Sequence, residues 1–248
     1  MSLVSCLMLT LNRYTLTRKT LEHNLKNSNG ANIELLIADN GSSDKQVVEW
    51  LKYHPKVTYH RANSQNEGCS RAFNQLYLRA KGDYICLLGN DIELPKGWCQ
   101  EMVKYAAGVP NSGIIGMDWG HGGVPPLSYK LGSHAHWLNE RLDKVFGVWM
   151  MRRKLIEDIG FFHEGFHPYG LEDSDFNNRV NIGKYNSCYV PNTHFKSTHI
   201  GTGNEDSGPY REMKNKSLEH NLPILHDRCA NYKTRGIVEP LPPLREPL

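Results

Sequence analysis

The chemistry open to this 248-residue chain is that of carboxylates set at turns. Asp91 follows the apolar run Tyr84–Leu88 and the pair Gly89-Asn90. Its side chain is a hard oxygen donor suited to Mg2+ or Mn2+, ions that bind through one or two carboxylates together with substrate phosphates. A diphosphate-bearing ligand is therefore its natural partner. Glu172, Asp173 and Asp175 crowd the start of a helix. Two carboxylates in one crevice repel, so one of them rises towards the pKa of a general base at working pH. The same residues also serve as ordinary helix caps and dipole complements, and Asn90-Asp91 before Pro95 as an ordinary turn. The residues alone leave both readings open.

Other polar groups sit in comparable places. Asp39 ends the apolar run Ile33–Ala38, and Asn66-Glu67-Gly68 precedes a helix that carries Arg71. That arginine is either a solvated helix residue or a donor aimed at a base or phosphate. Of the 12 histidines, His194 and His199 follow a late strand and can reach the same edge.

The elements that must position these groups alternate regularly. Residues 3–9 read as a strand, the turn Thr10-Leu11-Asn12-Arg13 follows, and Leu16, Leu21 and Leu25 mark a helix. After the second strand, Ser43 and Gln46 form a capping-box pattern ahead of Val47, Val48, Trp50 and Leu51. Val57–Arg61 is a third strand, Ala72, Phe73, Leu76 and Tyr77 line a helix, and Gly113–Met117 is a further strand. This β-α-β-α order over residues 1–117 predicts an α/β fold with a doubly wound, mostly parallel sheet flanked by helices. In such a sheet the strand ends share one ligand-binding edge. Thr10–Arg13, Asp39–Asp44, Gly89–Asp91 and Glu172–Asp175 are expected to converge there.

Regularity fails over residues 118–144, a glycine-rich segment with Trp119, Tyr129 and Trp137 that reads as an irregular acceptor wall or lid. A strand at Val145–Met151, a short helix, an aromatic-rich loop at Gly160–Gly170 and a strand at Ser187–Val190 follow. A polar helix near Tyr210–His220 then leads into the tail EPLPPLREPL, whose prolines forbid regular structure.

Composition narrows the classes. Lys plus Arg number 29 against 26 Asp plus Glu, and a net charge of +3 without basic tracts gives no bulk signal for nucleic acid. Six cysteines, without CxxC or zinc spacing, are expected to be reduced and packed. The chain has no apolar run long enough to span a bilayer, and its N-terminus lacks a signal-peptide pattern. A soluble, cytoplasmic protein is expected, with peripheral membrane contact open and the oligomeric state undetermined.

Six segments in order carry a resemblance: LTLNR, IADNGSSD, NEGCSRAFN, GDYICLLGNDIEL, FGVWMMRRKLIEDIGFFHEGF and GLEDSDFNNR. Together they resemble the family-two glycosyltransferases of the GT-A fold, from about Ser5 to His199. The resemblance implies an inverting transfer from a nucleoside diphosphate sugar, foremost a UDP-sugar, to a glycan or other hydroxyl-bearing acceptor. Thr10, Asn12 and Arg13 are similar to the turn that lines the nucleotide. Asp39 resembles the aspartate that hydrogen-bonds the nucleobase, with Arg71 as companion and Asn66, Gly68 and Asn90 shaping the nucleotide-sugar site. Asp91 matches the last aspartate of the D-x-D motif, the ligand of Mn2+ or Mg2+. Asp173 resembles the general base, with Glu172 positioning acceptor or donor. Gly89 stands where that motif has its first aspartate, which turns attention to His199 as a second metal ligand, with His194 as the alternative. The implied division is a nucleotide-sugar-binding half (1–117), an acceptor-binding and catalytic half (118–205) of the same domain, and a C-terminal helix and tail (206–248).

Two rival readings are a nucleotidyltransferase and a catalytically decayed sugar-nucleotide-binding module. The first needs a glycine-rich phosphate loop after strand one, and LTLNRYT has no glycine. The missing aspartate at Gly89 favours the second, whereas the Glu172-Asp173 pair speaks against it.

Overall fold

The computed structural model describes residues 2–117, 147–190, 198–199 and 208–247. The expected lid at 118–144 and His194 lie outside the described residues. The elements, in order, are β1 (Val4–Thr10), α1 (Tyr14–Asn27), β2 (Ile33–Asp39), α2 (Lys45–Tyr53), β3 (Tyr59–Ala62), α3 (Cys69–Arg79), β4 (Tyr84–Leu88) and β5 (Ile92–Glu93). Then come α4 (Trp98–Gly108), β6 (Ser112–Met117), β7 (Trp149–Arg152), α5 (Arg153–Ile159), α6 (Glu172–Ile182), β8 (Asn186–Val190), β9 (Thr198–His199) and α7 (Gly208–Arg235).

Seven strands form one sheet in the order β3-β2-β1-β4-β7-β6-β8. β1 is parallel to β2 and β4, β2 to β3, and β6 to β8; β7 alone runs against its neighbours, β4 and β6. The mostly parallel α/β sheet expected from the alternation is thus present. Successive side chains on a strand face opposite ways, and the core divides accordingly. Cys6, Met8, Leu35, Ile37, Cys86 and Leu88 pack with Leu21, Leu51, Trp98 and Met102 on one face. Leu7, Leu36, Ala38, Ile85 and Leu87 pack with Leu76, Tyr77, Ile156, Phe176 and Val180 on the other. Helices α1, α2 and α4 therefore cover one side, and α3, α5 and α6 the other. Burial on both faces explains why these strands read as unbroken apolar runs.

Several boundaries differ from expectation. The third strand begins at Tyr59, because the Val57 amide closes a turn onto the His54 carbonyl at 3.1 Å and pairing starts only afterwards. The Ser43–Gln46 capping box does not form: Asp44 caps α2, accepting from the Gln46 amide at 2.9 Å, while the Ser43 hydroxyl is drawn to Asn12 Oδ1. The C-terminal helix runs to Arg235 and contains Pro223. Pro223 and Glu219, whose carbonyl it leaves without an amide partner, are both exposed, so water satisfies that carbonyl. All six cysteines are free, with Cys229 exposed rather than packed.

The inner stripe of α7 is Ser217, Asn221, Leu225, Arg228 and Tyr232, and it is mostly polar. It works because α6 offers a fully buried carboxylate. Asp175 accepts from Arg179 Nε at 2.8 Å, from Arg228 Nε at 2.6 Å and from the Tyr232 hydroxyl at 2.5 Å. Burial alone would raise its pKa, but these donors outweigh burial and hold the carboxyl below its usual range. Removing the carboxylate leaves buried Arg179 without its anion and Arg228 with Glu239 as its remaining one. Asp175→Ala is accordingly expected to cost about 3–5 kcal/mol in urea unfolding. A loss under about 1 kcal/mol would mean that water already screens the cluster.

Candidate active site

The cleft lies where β1, β2 and β4 end. Thr10, Leu11, Asn12 and Arg13 form one side, Asn40 and Asn66 another, and Asn90, Cys69, Pro168, Tyr169 and Met213 complete a cavity of about 450 Å3. Parallel register explains the convergence, since Thr10 pairs with Asp39 and Met8 with Leu88, so the chain leaves all three strands at one level.

The first turn is held by side chains rather than by glycine. Asn12 and Arg13 both adopt left-handed backbone, at φ 57° and 61°, a conformation costly for residues with a Cβ and retained where surroundings enforce it. The enforcement is visible. The Asn12 amide donates to Ser42 Oγ at 2.6 Å, and Asn12 Oδ1 accepts from the Asp44 amide at 3.0 Å and the Ser43 hydroxyl at 3.1 Å. Thr10 Oγ1 reaches the Asn12 carbonyl at 3.2 Å and Thr17 Oγ1 at 3.1 Å, and Asn90 Nδ2 donates to the same Thr17 oxygen at 3.2 Å. The loops after β1, β2 and β4 thus form one hydrogen-bonded cradle.

Asp39 uses only part of its carboxylate within the protein. Oδ1 accepts from the Gly41 and Ser42 amides at 3.2 and 2.8 Å, whereas Oδ2 is buried without a hydrogen-bond partner among the described residues. A buried acceptor left unpaired is costly and invites a ligand N–H. Arg71, expected as its companion at the nucleobase, reaches Glu67 within the protein. Its Nε lies 3.1 Å from Glu67 Oε2, at ion-pair distance but out of line for a hydrogen bond. Asn66 Oδ1 accepts from Asn40 Nδ2 at 2.8 Å and from the Gly68 amide at 2.9 Å. Gly68, at φ 83°, packs so close to the His167 ring that a Cβ would stand 2.7 Å from Nδ1.

Asp91 sits beside the cradle, its side chain 21% exposed and 3.7 Å from the Arg13 guanidinium. The short ladder of β5 and β9 pairs Ile92 with His199, so that the two positions expected to bind metal are neighbours along the backbone. Among the described residues no group of three His, Cys, Asp or Glu side chains is placed to hold an ion. Asp91 offers one carboxylate, which suits a cation that takes its remaining ligands from a diphosphate and water, the usual habit of Mg2+.

Glu172 and Asp173 open α6. Asp173 Oδ1 accepts from the Ser174 amide at 2.7 Å, while Glu172 Oε2 is buried without a hydrogen-bond partner among the described residues. Burial first, and the Asp173 charge second, push the Glu172 carboxyl up to about 8. The charges of this pair, after burial itself, also raise the thiol of Cys69, a residue lining the cleft. The acidic helix start is thereby tied to the cavity. Asn221 of α7 aims the approach to it, donating to the Tyr169 and Gly170 carbonyls at 3.1 and 2.8 Å and accepting from the His167 amide at 3.1 Å.

Sequence reasoning passed over Asn40, Cys69, Pro168, Tyr169, Met213 and Asn221. Asn40 lay inside a motif already singled out, and the loop holding Pro168 and Tyr169 was visible as aromatic-rich without a role. Met213 and Asn221 carry no local signal.

Comparison with known proteins adds three findings. The model of glycosyl transferase family 2 matches residues 5–160. An uncharacterized protein, y4gI, of Sinorhizobium fredii (strain NBRC 101917 / NGR234) is 23% identical over 215 residues, covering 76% of this chain and 24% of its own length. The chain thus spans about a quarter of that curated relative. Among solved structures, it is similar in fold to the mannosyltransferase PcManGT from Pyrobaculum calidifontis in complex with GDP-Man and Mn2+, at 15% identity and TM-score 0.61, covering 93% of this chain and 70% of that one. It is likewise similar to S. aureus TarS 1-349 in complex with UDP-GlcNAc, at 16% identity and TM-score 0.63, covering 94% and 72%. The chain shares the GT-A fold of these structures.

Glu172 gives a pH prediction. A carboxyl whose folded pKa stands near 8, above an ordinary 4.5, contributes stability that is fully present below its unfolded pKa and is lost as pH rises through the folded one. Between about pH 5 and 9 the wild type is expected to lose on the order of 2–4 kcal/mol in unfolding free energy, and Glu172→Gln to lose much less. Parallel pH profiles for the two proteins in urea unfolding would place the proton elsewhere.

Proposed function

The chain belongs to glycosyl transferase family 2, and on that premise we propose that it transfers a sugar from a nucleoside diphosphate sugar, a UDP-sugar in the first instance, to an acceptor hydroxyl with inversion. The observation that carries this reading is the cradle of Thr10–Arg13, Asn40, Asn66 and Asn90 around one cavity, with the raised carboxyl of the Glu172–Asp173 pair beside it. PcManGT with GDP-Man and TarS with UDP-GlcNAc bind donors of this class.

Each residue has a task in the reaction. Asp39 Oδ2 accepts an N–H from the nucleobase, which satisfies an otherwise orphaned atom. The Thr10–Arg13 turn and Asn90 line the diphosphate path, and Arg13 brings positive charge to within 3.7 Å of Asp91. Asp91 and His199 would hold Mn2+ or Mg2+, which when bound offsets charge developing on the leaving diphosphate. Asp173 acts as base. Glu172, with its carboxyl near 8, keeps its proton at neutral pH and leaves Asp173 ionised to receive the acceptor's. The acceptor oxygen then bonds to the anomeric carbon as the bond to the diphosphate breaks, the acceptor proton passes to Asp173, and the nucleoside diphosphate departs. One displacement inverts the centre.

Proton transfer and charge stabilisation are each typically worth about 10²-fold or more. Asp173→Asn and Asp91→Ala are therefore each expected to lower kcat by at least about 100-fold in nucleoside diphosphate release from a donor with acceptor present. Near wild-type turnover of Asp173→Asn at saturating donor would remove it as base. Wild-type protein that binds a donor yet never releases nucleoside diphosphate would favour a binding module instead.

A further inference from the structure

The tail after α7 has no regular structure, yet buried side chains of the domain grip it at several points. The Glu239 amide donates to the Ile159 carbonyl at 2.9 Å. Its own carbonyl passes so close over Gly160, at φ 73°, that a Cβ there would stand 1.7 Å away. Gln75, which is buried, clamps the next segment with both ends of its amide, donating to the Pro243 carbonyl at 3.0 Å and accepting from the Arg245 amide at 2.6 Å. Arg245 pairs with Glu164 at 2.6 Å. Fully buried Arg61 donates from Nη1 to the Arg245 carbonyl at 2.7 Å and from Nη2 to the Glu246 carbonyl at 2.9 Å.

Arg61 also faces inward. Its Nε and Nη2 donate to the two oxygens of Glu67 at 2.7 and 2.9 Å. Glu67 Oε1 accepts further from Asn63 Nδ2 at 2.7 Å, and the Glu67 amide donates to Asn40 Oδ1 at 3.1 Å. Asn40 in turn holds Asn66 at 2.8 Å, and both line the cleft. At the strap's other end, Glu239 Oε2 accepts from Arg228 at 2.7 Å, the arginine that also grips Asp175 of α6 at 2.6 Å. The tail therefore reaches the Asn40–Asn66 wall of the cleft through Arg61 and Glu67, and the helix that carries Glu172 and Asp173 through Arg228.

We infer that residues 239–246 are a strap that sets the donor wall of the cleft, with Arg61 and Gln75 as its positioning residues; the inference rests on the cleft being the donor site. A buried guanidinium has five N–H donors, and four bonds are filled here, half by tail carbonyls. Without those carbonyls Arg61 must find water or move, and Glu67, Asn40 and Asn66 follow it. The strap is read mainly through its backbone, and Pro240, Pro242 and Pro243 keep it extended before it docks, which lowers the entropy lost on docking.

The test compares the full chain, Gln75→Leu, and the chain ended after Val238, the last with and without a synthetic peptide of residues 239–248. Amide hydrogen exchange at residues 63–68 and titration with UDP and GDP in the presence of Mn2+ are measured on each. The expected result for the shortened chain is faster exchange at 63–68 and roughly tenfold weaker binding of whichever nucleotide the full chain binds. The peptide restores both, and Gln75→Leu lies between. In turnover the donor KM rises by more than kcat falls, a split that general loss of folded protein does not produce. Unchanged exchange at 63–68 in both variants overturns the strap whether or not a nucleotide binds, and so does faster exchange with unaltered nucleotide affinity. A full chain that binds neither nucleotide overturns the donor reading instead, and exchange then decides the strap alone. Should the shortened chain fail to fold, Gln75→Leu with a cooperative thermal transition carries the same comparison.

Discussion

A carboxylate with no access to water governs the second half of this molecule. Asp175 is fully buried, and an ion there is tolerable only if donors surround it. Arg179 comes from the same helix, Arg228 and Tyr232 from α7. Arg179 spends its remaining donors on the Ile159 and Phe161 carbonyls, so the loop after α5 is drawn into the same knot. Such a cluster gains little over an apolar core in net stability, but it admits a single arrangement of the parts. The orientation of α6 is fixed by it, and with α6 the direction in which Glu172 and Asp173 present themselves.

The donor side is built on the same physics with neutral groups. Parallel strands bring three loops to one level, but loops alone scatter. Here Asn12, Ser42, Ser43, Thr10, Thr17 and Asn90 bond to one another or to each other's backbone, and the left-handed turn at Asn12 and Arg13 is held by that pairing. Below it, Glu67 gathers Arg61, Asn63 and the bond to Asn40. Dipoles fixed before a ligand arrives need no reorganisation when charge develops, which is where much of the electrostatic benefit of an enzyme site originates.

The strands β1, β2 and β4 could be read from the chain because both faces are covered and the apolar runs are continuous. The polar clusters that follow them were legible as turns for the same reason, and the register then brings Thr10, Asn12, Arg13, Asn66 and Asn90 to one cavity. Strand order is another matter. β7 inserts between β4 and β6 and runs antiparallel to both, and nothing in the four residues Trp149–Arg152 encodes their neighbours. The full length of α7 was hidden because its inner stripe is Ser217, Asn221, Arg228 and Tyr232 around one leucine, a pattern that reads as solvated until the partner carboxylate is known. Arg61 and Gln75 were invisible as tail clamps, since their partners are backbone carbonyls and amides more than a hundred residues away.

Glu172 and Asp175 share one helical face three positions apart, and they have opposite fates. Asp175 meets two guanidinium groups and is held below the usual carboxylate range. Glu172 meets burial and another carboxylate, and its carboxyl rises to about 8. The segment GLEDSDFNNR therefore carries less negative charge at neutral pH than its composition implies. For a cleft proposed to receive a diphosphate the difference matters, because every anion near it opposes the ligand by Coulomb repulsion in a medium of reduced dielectric. Glu172 escapes that conflict by keeping its proton, and Asp175 by being neutralised by Arg179 and Arg228, so of the three acids at this helix start Asp173 alone opposes the ligand. A helix start with three acids thus behaves electrostatically as a single carboxylate.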